Sequence, residues 1–203
     1  MFAPPSIRTR FGDVLARKCL NAFAQFGASH DDIYWHELAT QCTCSVHTLQ
    51  QHFSSRTDAI HAALAQADTY CDTHLFKPLR ESYQPRLKRL HSFLCAVDAL
   101  FIAHPECVFL FQAPFCAHVI ESSSHAHVLE TLHKWYVALH PIIASLIGTE
   151  FASEVSLLYI SAMQGALKYA GLDEALLSVA QAKCWVLDAV YELKGTSSLH
   201  NTP

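Results

Sequence analysis

The sequence predicts an all-α protein. An N-terminal three-helix domain containing a helix-turn-helix precedes a larger helical domain, with about nine helices in all. Apolar residues recur three and four apart along most of the chain, as one face of a helix requires. Alternation with period two persists nowhere, which excludes strands. Between Tyr34 and Arg56, YWHELATQCTCSVHTLQQHFSSR reads as a helix, a tight turn, a second helix and a serine-rich break.

The first helix fits Phe11 to Phe26. Leu15, Cys19, Ala22, Phe23 and Phe26 share its inner face, and Gly27 supplies a C-terminal cap. Asp31 or Asp32 caps the second helix, which runs through Trp35 to about Gln41. Leu38, Ala39 and Cys42 turn inward there. Ser45 then opens the third helix, its hydroxyl accepting a backbone N–H that the first turn leaves unpaired. Val46, Leu49 and Phe53 form the inner stripe, so His47, Thr48, Gln50 and Gln51 face outward. Such a helix, polar and mostly uncharged beyond a compact turn, suits a major groove, where side chains read base edges. A helical hairpin packed in a core is the bland reading of the same spacing.

The remainder also reads as helices. Thr57 to about His74 carries Ile60, Ala63, Leu64 and Ala67 on one face and ends at Lys77-Pro78. Pro85 opens a helix holding Leu87, Leu90, Phe93, Leu94, Val97, Leu100 and Phe101, which stops before Pro105. The apolar stretch Glu106 to Ile120 contains Pro114 and reads as a buried, broken helix. After Ser122 to Ser124, a helix from His125 to Ile147 is kinked by Pro141 and stopped by Gly148. Two more follow, Glu150 to Ala170 with a stop at Gly171, then Asp173 to Leu193. Both show broad apolar faces: Val155, Leu158, Tyr159, Ala162 and Leu167, then Leu176, Val179, Cys184, Leu187 and Val190. The stretch 195–203 is expected to be a disordered tail.

Composition bounds the function. The 203 residues are 51% apolar and only 16% charged, with a net charge of −4, so no strong basic character announces nucleic acid. The first 57 residues hold five basic side chains, Arg8, Arg10, Arg17, Lys18 and Arg56, against the acids Asp13, Asp31, Asp32 and Glu37. Four of the five cluster on the N-terminal arm and first helix, where they suit phosphates. Eight cysteines show no CxxC, and the start MFAPPSIRTRFG is no signal peptide, so reduced thiols and a cytoplasmic location are expected. No apolar run approaches the length of a membrane span.

Several smaller constellations carry two readings. Cys42-x-Cys44 is core packing in the turn, or a metal or redox pair. Cys71, His74, His91 and Cys95 lie at helical spacing and could make a soft-metal site with Asp72, or be scattered by chance. Cys107 and Cys116 flank an apolar run that would raise a thiol pKa; His104 or His118 nearby would reverse this. Phe101, Phe109, Phe111, Phe115, Trp135, Tyr136, Tyr159 and Met163 fill a core or line an apolar pocket. Gln112, His133 or Gln164 would then be its polar anchors. No glycine-rich loop, nucleophile elbow or paired carboxylates accompany the histidines and cysteines, so no enzyme is expected and no cofactor.

Over about residues 8–60 the chain resembles the TetR/AcrR family of bacterial transcriptional regulators. The family's Ile-Ala pair, Ala-Gly-Val-Ser turn, Gly-Thr-Leu-Tyr run, aromatic-Phe pair and lysine fall in order on this sequence. They meet Leu38-Ala39, Cys42-Thr43-Cys44-Ser45, His47-Thr48-Leu49-Gln50, His52-Phe53 and Arg56. Ala22 to Gly27 resembles the end of the family's first helix. The departures are Thr43 for the turn glycine, Gln50 for tyrosine and His47 for a small residue. A non-glycine residue in a left-handed turn costs about 1 kcal/mol. The resemblance implies a DNA-reading domain over 1–57 and an effector-binding and dimerisation domain over 58–194. It implies a repressor released from a palindromic double-stranded DNA operator by a small, largely apolar effector. DNA contacts would come from Arg8, Arg10, Ser45, Val46, His47, Thr48, Gln50, Gln51, His52 and Arg56. The effector would meet Phe101, Phe109, Phe111, Gln112, Phe115, Trp135, Tyr136, Tyr159 and Met163. A homodimer would form through residues 150–193. The alternative is a degenerate relative that senses a ligand, oxidant or metal without gripping DNA.

Overall fold

The computed structural model describes residues 7–26, 34–115, 124–168 and 178–199. Over these residues the chain is all-α and contains no strand. The helices are α1 (Ile7–Phe26), α2 (Tyr34–Gln41), α3 (Val46–His52), α4 (Arg56–Cys71) and α5 (Lys77–Arg80). There follow α6 (Arg86–Ala103), α7 (Phe109–Gln112), α8 (Ser124–Ile147), α9 (Thr149–Lys168) and α10 (Val179–Leu199). The caps expected at Gly27, Asp31, Asp32 and Gly171, together with Cys116 and Leu176, lie outside the described residues.

These helices form two compact units. The first holds the described residues up to Tyr70 and those from His104 to Leu129; the second holds Cys71 to Ala103 and Glu130 onward. The divide falls inside α4 and α8, whereas the sequence places it after residue 57. Residue 57 lies in the first turn of α4, and that helix buries Ala59, Ile60, Ala63, Leu64 and Ala67 within the first unit.

In the first unit α1 turns Leu15, Ala16, Cys19, Leu20, Ala22 and Phe23 inward, at the spacing of one helical face. It packs on α2 and on the segment from Pro105 to Gln112. Phe23 stacks on Phe109 with ring centres 5.3 Å apart. Fully burying such a side chain stabilises the fold by about 1.5–3 kcal/mol. Over its described residues the segment expected to be a broken helix is one: a 3-10 turn (Pro105–Val108), α7, then a second 3-10 turn (Ala113–Phe115). Tyr70 stacks on His104 at 4.0 Å and carries the Arg17 guanidinium 5.8 Å from its ring centre. Burial raises the Tyr70 phenol, with Arg17 acting against it.

In the second unit, α6 buries Leu90, Phe93, Leu94, Val97 and Leu100. Trp135 of α8, fully buried, meets Phe76 and Phe93 edge-on at 5.8 and 6.0 Å. The helices α9 and α10 pack together, with Val155, Tyr159, Ala162 and Met163 buried on one and Ala182, Val186 and Val190 buried on the other. Lys183 donates to Asp98 at 2.7 Å, and that partner raises the lysine pKa. Pro141 lies within α8 on an exposed position, so water can meet the carbonyl it leaves unpaired. Gly148 closes α8 at φ +92°, its N–H bonding the Ala144 carbonyl at 3.0 Å.

Three helix boundaries differ from the sequence reading. The first is α1, which begins at Ile7 rather than Phe11 and so carries Arg8 and Arg10 within the helix. The pattern expected to stop at Lys77-Pro78 continues through a π-turn (Asp72–Phe76) into α5. There the Lys77 N–H reaches back to the Asp72 carbonyl, which re-registers the backbone and puts Pro78 in a first turn, where its missing N–H costs little. The last described helix starts at Val179, where Ser178 and Gln181 cap reciprocally, and the start expected at Asp173 lies outside the described residues. The Gln181 N–H donates to the Ser178 hydroxyl at 3.2 Å, and the Ser178 N–H donates to Gln181 Oε1 at 2.7 Å. That helix then runs through Gly195 to Leu199, where a disordered tail is expected. A glycine inside a helix costs about 1 kcal/mol relative to alanine, too little to end it.

Replacing Trp135→Ala should destabilise the protein by about 3–5 kcal/mol. Urea denaturation followed by circular dichroism measures it, and a loss below 1 kcal/mol would show that the ring is not the keystone of this core.

Candidate nucleic-acid interface

The turn between α2 and α3 is built by backbone bonds that the sequence sets locally. Cys44 N–H bonds the Ala39 carbonyl and Thr43 N–H the Thr40 carbonyl, both at 3.0 Å. This pairing is a Schellman motif, whose central residue must adopt a left-handed backbone. Thr43 does so with φ +53°, at the position where glycine would cost nothing. The compensation comes from α1. Lys18 Nζ donates to the Cys42 carbonyl at 2.6 Å and also to the Thr43 hydroxyl. Nothing local announces this clamp, because the lysine precedes the turn by 24 residues.

Ser45 then starts α3 as expected. Its backbone is extended, and its hydroxyl accepts the Thr48 N–H at 3.0 Å. Leu49 and Phe53 are buried while Val46 is half-buried, so the inner stripe matches the spacing. On the opposite face His47, Gln50, Gln51 and His52 are exposed and Thr48 is half-buried. The Gln51 amide and the His47 ring lie 2.8 Å apart, one turn along the same face. Phe11 of α1 packs on His52 with ring centres 5.2 Å apart, which fixes that imidazole against the first helix. A seven-residue helix spans about 10 Å, enough to present these amides to three or four base edges.

The start of α4 is capped by the two serines that precede it. Ser55 accepts the Asp58 N–H at 3.1 Å and Ser54 donates to the Asp58 carboxylate, which lowers the carboxyl pKa. Arg56 is half-buried in the first turn of this helix. Arg8 and Arg10 lie on α1, and their side chains fall outside the described residues. Of the basic cluster, Lys18 is bonded to the turn and Arg17 lies over Tyr70, so part of the charge expected for phosphates has an internal partner.

The nine residues expected to meet an effector divide between the units. Phe109, Phe111, Gln112 and Phe115 belong to the first; Phe101, Trp135, Tyr136, Tyr159 and Met163 belong to the second. Phe109, Phe111, Trp135, Tyr159 and Met163 are buried, Phe101, Gln112 and Tyr136 are half-buried, and the Phe115 side chain is not described. Tyr136 donates to or accepts from Ser153 at 3.0 Å. A surface cavity of about 310 Å³ in the second unit is lined by Leu75, Leu79, Phe93 and Arg89 and includes none of the nine.

The sulfur-based readings resolve differently. Among the described residues no three metal-binding side chains gather to hold an ion. His91 instead bonds the Tyr191 hydroxyl at 3.2 Å, and Cys95 lies 3.5 Å from the Lys183 ammonium. Burial, with Glu106 alongside, pushes the Cys107 thiol up to about 12, so it is not poised as a sensor. Cys42 meets Cys19 rather than Cys44, at 3.8 Å between sulfurs.

No protein-family model and no curated protein matches the sequence. The fold, by contrast, is that of TetR-like regulators. A TetR-like transcriptional regulator from Rhodococcus sp. RHA1 superposes with a TM-score of 0.69 at 12% identity, over 99% of this chain and 100% of that one. A TetR-family regulator from Streptomyces coelicolor gives 0.65 at 16%, over 90% and 96%. The fatty acid degradation regulator FadR from Bacillus halodurans gives 0.62 at 10%, over 95% and 97%. No single described helix is long and apolar enough to cross a membrane.

Thr43→Gly tests the turn. Relief of the left-handed strain should stabilise the protein by up to about 1 kcal/mol, raising Tm by about 2–4 °C for a chain of this size. A fall in Tm on thermal melting would mean that the Lys18–Thr43 bond outweighs the strain.

Proposed function

We propose that the chain is a DNA-binding transcriptional regulator, a repressor that acts as a homodimer and leaves its operator when a small apolar effector binds. The observation that carries this reading is the helix-turn-helix itself. A closed Schellman turn and a capped α3 hold an exposed, uncharged face of His47, Gln50 and Gln51, with Thr48 half-buried on the same face. Glutamine is suited to bidentate pairing with adenine, and the remaining groups accept or donate as the base requires. Ser45, Val46, His52 and Arg56, with Arg8 and Arg10 from α1, would position the helix on phosphates. The fold neighbours are named as transcriptional regulators, which favours a regulator over an enzyme.

Dimerisation is supported by apolar surface that one copy leaves exposed. Leu157 and Leu158 on α9 and Trp185 and Tyr191 on α10 are each about half exposed, within the 150–193 region. Two such helix pairs, facing across a two-fold axis, form a four-helix bundle. Two recognition helices would then meet half-sites about one helical turn apart. For the effector we retain the apolar class, with Phe101, Trp135, Tyr136, Tyr159 and Met163 of the second unit as its contacts. One neighbour's name, a fatty acid degradation regulator, agrees with that class. An effector acts only by favouring one arrangement of the two heads over the other.

Selection from random duplexes at low salt tests the reading. A palindromic sequence should be enriched, and Gln50→Ala with Gln51→Ala should lose discrimination by about 1–3 kcal/mol per base pair read. Absence of any enriched sequence would favour a ligand sensor that no longer grips DNA, a reading to which the thin charge of α3 lends weight. Trp185→Asp tests the dimer separately. Sedimentation should show a monomer with unchanged helicity, and an intact dimer would move the interface elsewhere.

A further inference from the structure

The first unit contains a pair of sulfurs that the proposed function does not use. Cys19 on α1 and Cys42 at the end of α2 are both fully buried, with sulfurs 3.8 Å apart. Each is a free thiol. A disulfide needs about 2.05 Å between sulfurs and a Cα separation of about 4.4–6.8 Å. The sulfurs are in contact already, and the bond requires them to approach by a further ~2 Å. Cys42 also occupies a sensitive place. Its carbonyl takes the Lys18 bond, and it directly precedes the left-handed Thr43.

We propose that Cys19 and Cys42 form a reversible oxidation site, closed to a disulfide by hydroperoxides, which ties α1 to the turn of the helix-turn-helix. The two thiols differ in a way that suits the chemistry. The Cys19 hydrogen bond lowers the Cys42 pKa against the effect of burial, and the Lys18 ammonium adds to the lowering. The Cys19 thiol is correspondingly raised, by that same bond and by burial. With the Lys18 ammonium seated on its carbonyl at 2.6 Å, Cys42 is the attacking sulfur and Cys19 the resolving one. The Cys42 thiolate attacks one peroxide oxygen, the O–O bond breaks, and the departing hydroxide is protonated to water. This leaves a sulfenic acid on Cys42. Cys19 sulfur then attacks Cys42 sulfur, the S–O bond breaks, and hydroxide leaves with the Cys19 proton as a second water. Two thiols lose two electrons in total and hydrogen peroxide gains them. Because both sulfurs are buried, the rate is set by local opening of the first unit rather than by the thiolate fraction alone.

Cys44, half-buried and raised by burial, is the neighbouring competitor. Among the described cysteines Cys95 and Cys184 are the exposed ones, and of these residues the first to meet any reagent. The full-length protein is treated with hydrogen peroxide, alkylated, and digested without reduction for mass spectrometry. A Cys19–Cys42 linked peptide should appear, lighter by two hydrogens than the sum of its parts and abolished by dithiothreitol. In Cys19→Ser the reaction should stop at the Cys42 sulfenic acid, trapped as a dimedone adduct. If that variant does not fold, the wild-type peptide map decides alone. Peptides in which Cys19 and Cys42 remain alkylated while Cys95 and Cys184 are oxidised would overturn the proposal, as would a Cys42–Cys44 link. The consequence for DNA rests on the proposed function and is read separately. Oxidation should weaken duplex binding about tenfold, reversibly, through loss of one or two base contacts. The peptide map judges the disulfide whether or not the reduced protein binds a duplex.

Discussion

The direction in which α3 points depends on one residue held in a conformation it disfavours. Thr43 has φ +53°, and its neighbours close the Schellman bonds only because it does. In a family-like turn, glycine would supply this geometry without strain. Here the geometry is braced from outside, by Lys18 on the Cys42 carbonyl and the Thr43 hydroxyl. The first helix is therefore part of the helix-turn-helix unit and not merely its cover. It fixes the turn through Lys18, the end of α3 through Phe11 on His52, and the end of α2 through Cys19 on Cys42.

What the sequence made legible is what one or two helical turns decide. The Ser45 cap, the inward Leu49 and Phe53 and the outward Gln50 follow from spacing and hydrogen-bonding chemistry within eight or nine residues, and the structure has each of them. The Lys18 clamp and the Cys19–Cys42 contact were not legible, since each joins residues more than twenty apart. The π-turn before Pro78 was missed for another reason. A one-residue change of register leaves the apolar period nearly intact, so Leu75 and Phe76 still reach the core. At the last described helix a local signal was present and went unused: Ser178 and Gln181 have the spacing of a capping box.

The aromatic residues show a sharper limit. Counting them suggested a pocket, yet composition does not say which rings share a unit. Phe109 stacks on Phe23 in the first, while Trp135 sits between Phe76 and Phe93 in the second. Both arrangements explain full burial by packing alone, because rings at 5–6 Å fill space as well as they would line it. The count of aromatics is thus poor evidence for a cavity. On the proposed reading an effector is needed to change the spacing of two heads, and the aromatic count adds nothing to that argument.

Charge ties these points together. Before residue 58 the chain has five basic and four acidic side chains, Lys18 is engaged with the turn, and Arg17 lies over Tyr70. Each phosphate neutralised adds to affinity and to its salt dependence, so on the proposed reading a single head holds DNA weakly. Two heads joined by a stable interface bind as a unit, the second contact being intramolecular once the first is made. The exposed Leu157, Leu158, Trp185 and Tyr191 then matter for DNA as much as for assembly. The same weakness lightens the effector's task. A change of spacing that lifts one head off its half-site removes most of the affinity, so neither recognition helix has to be deformed and only a few kcal/mol of differential binding are required.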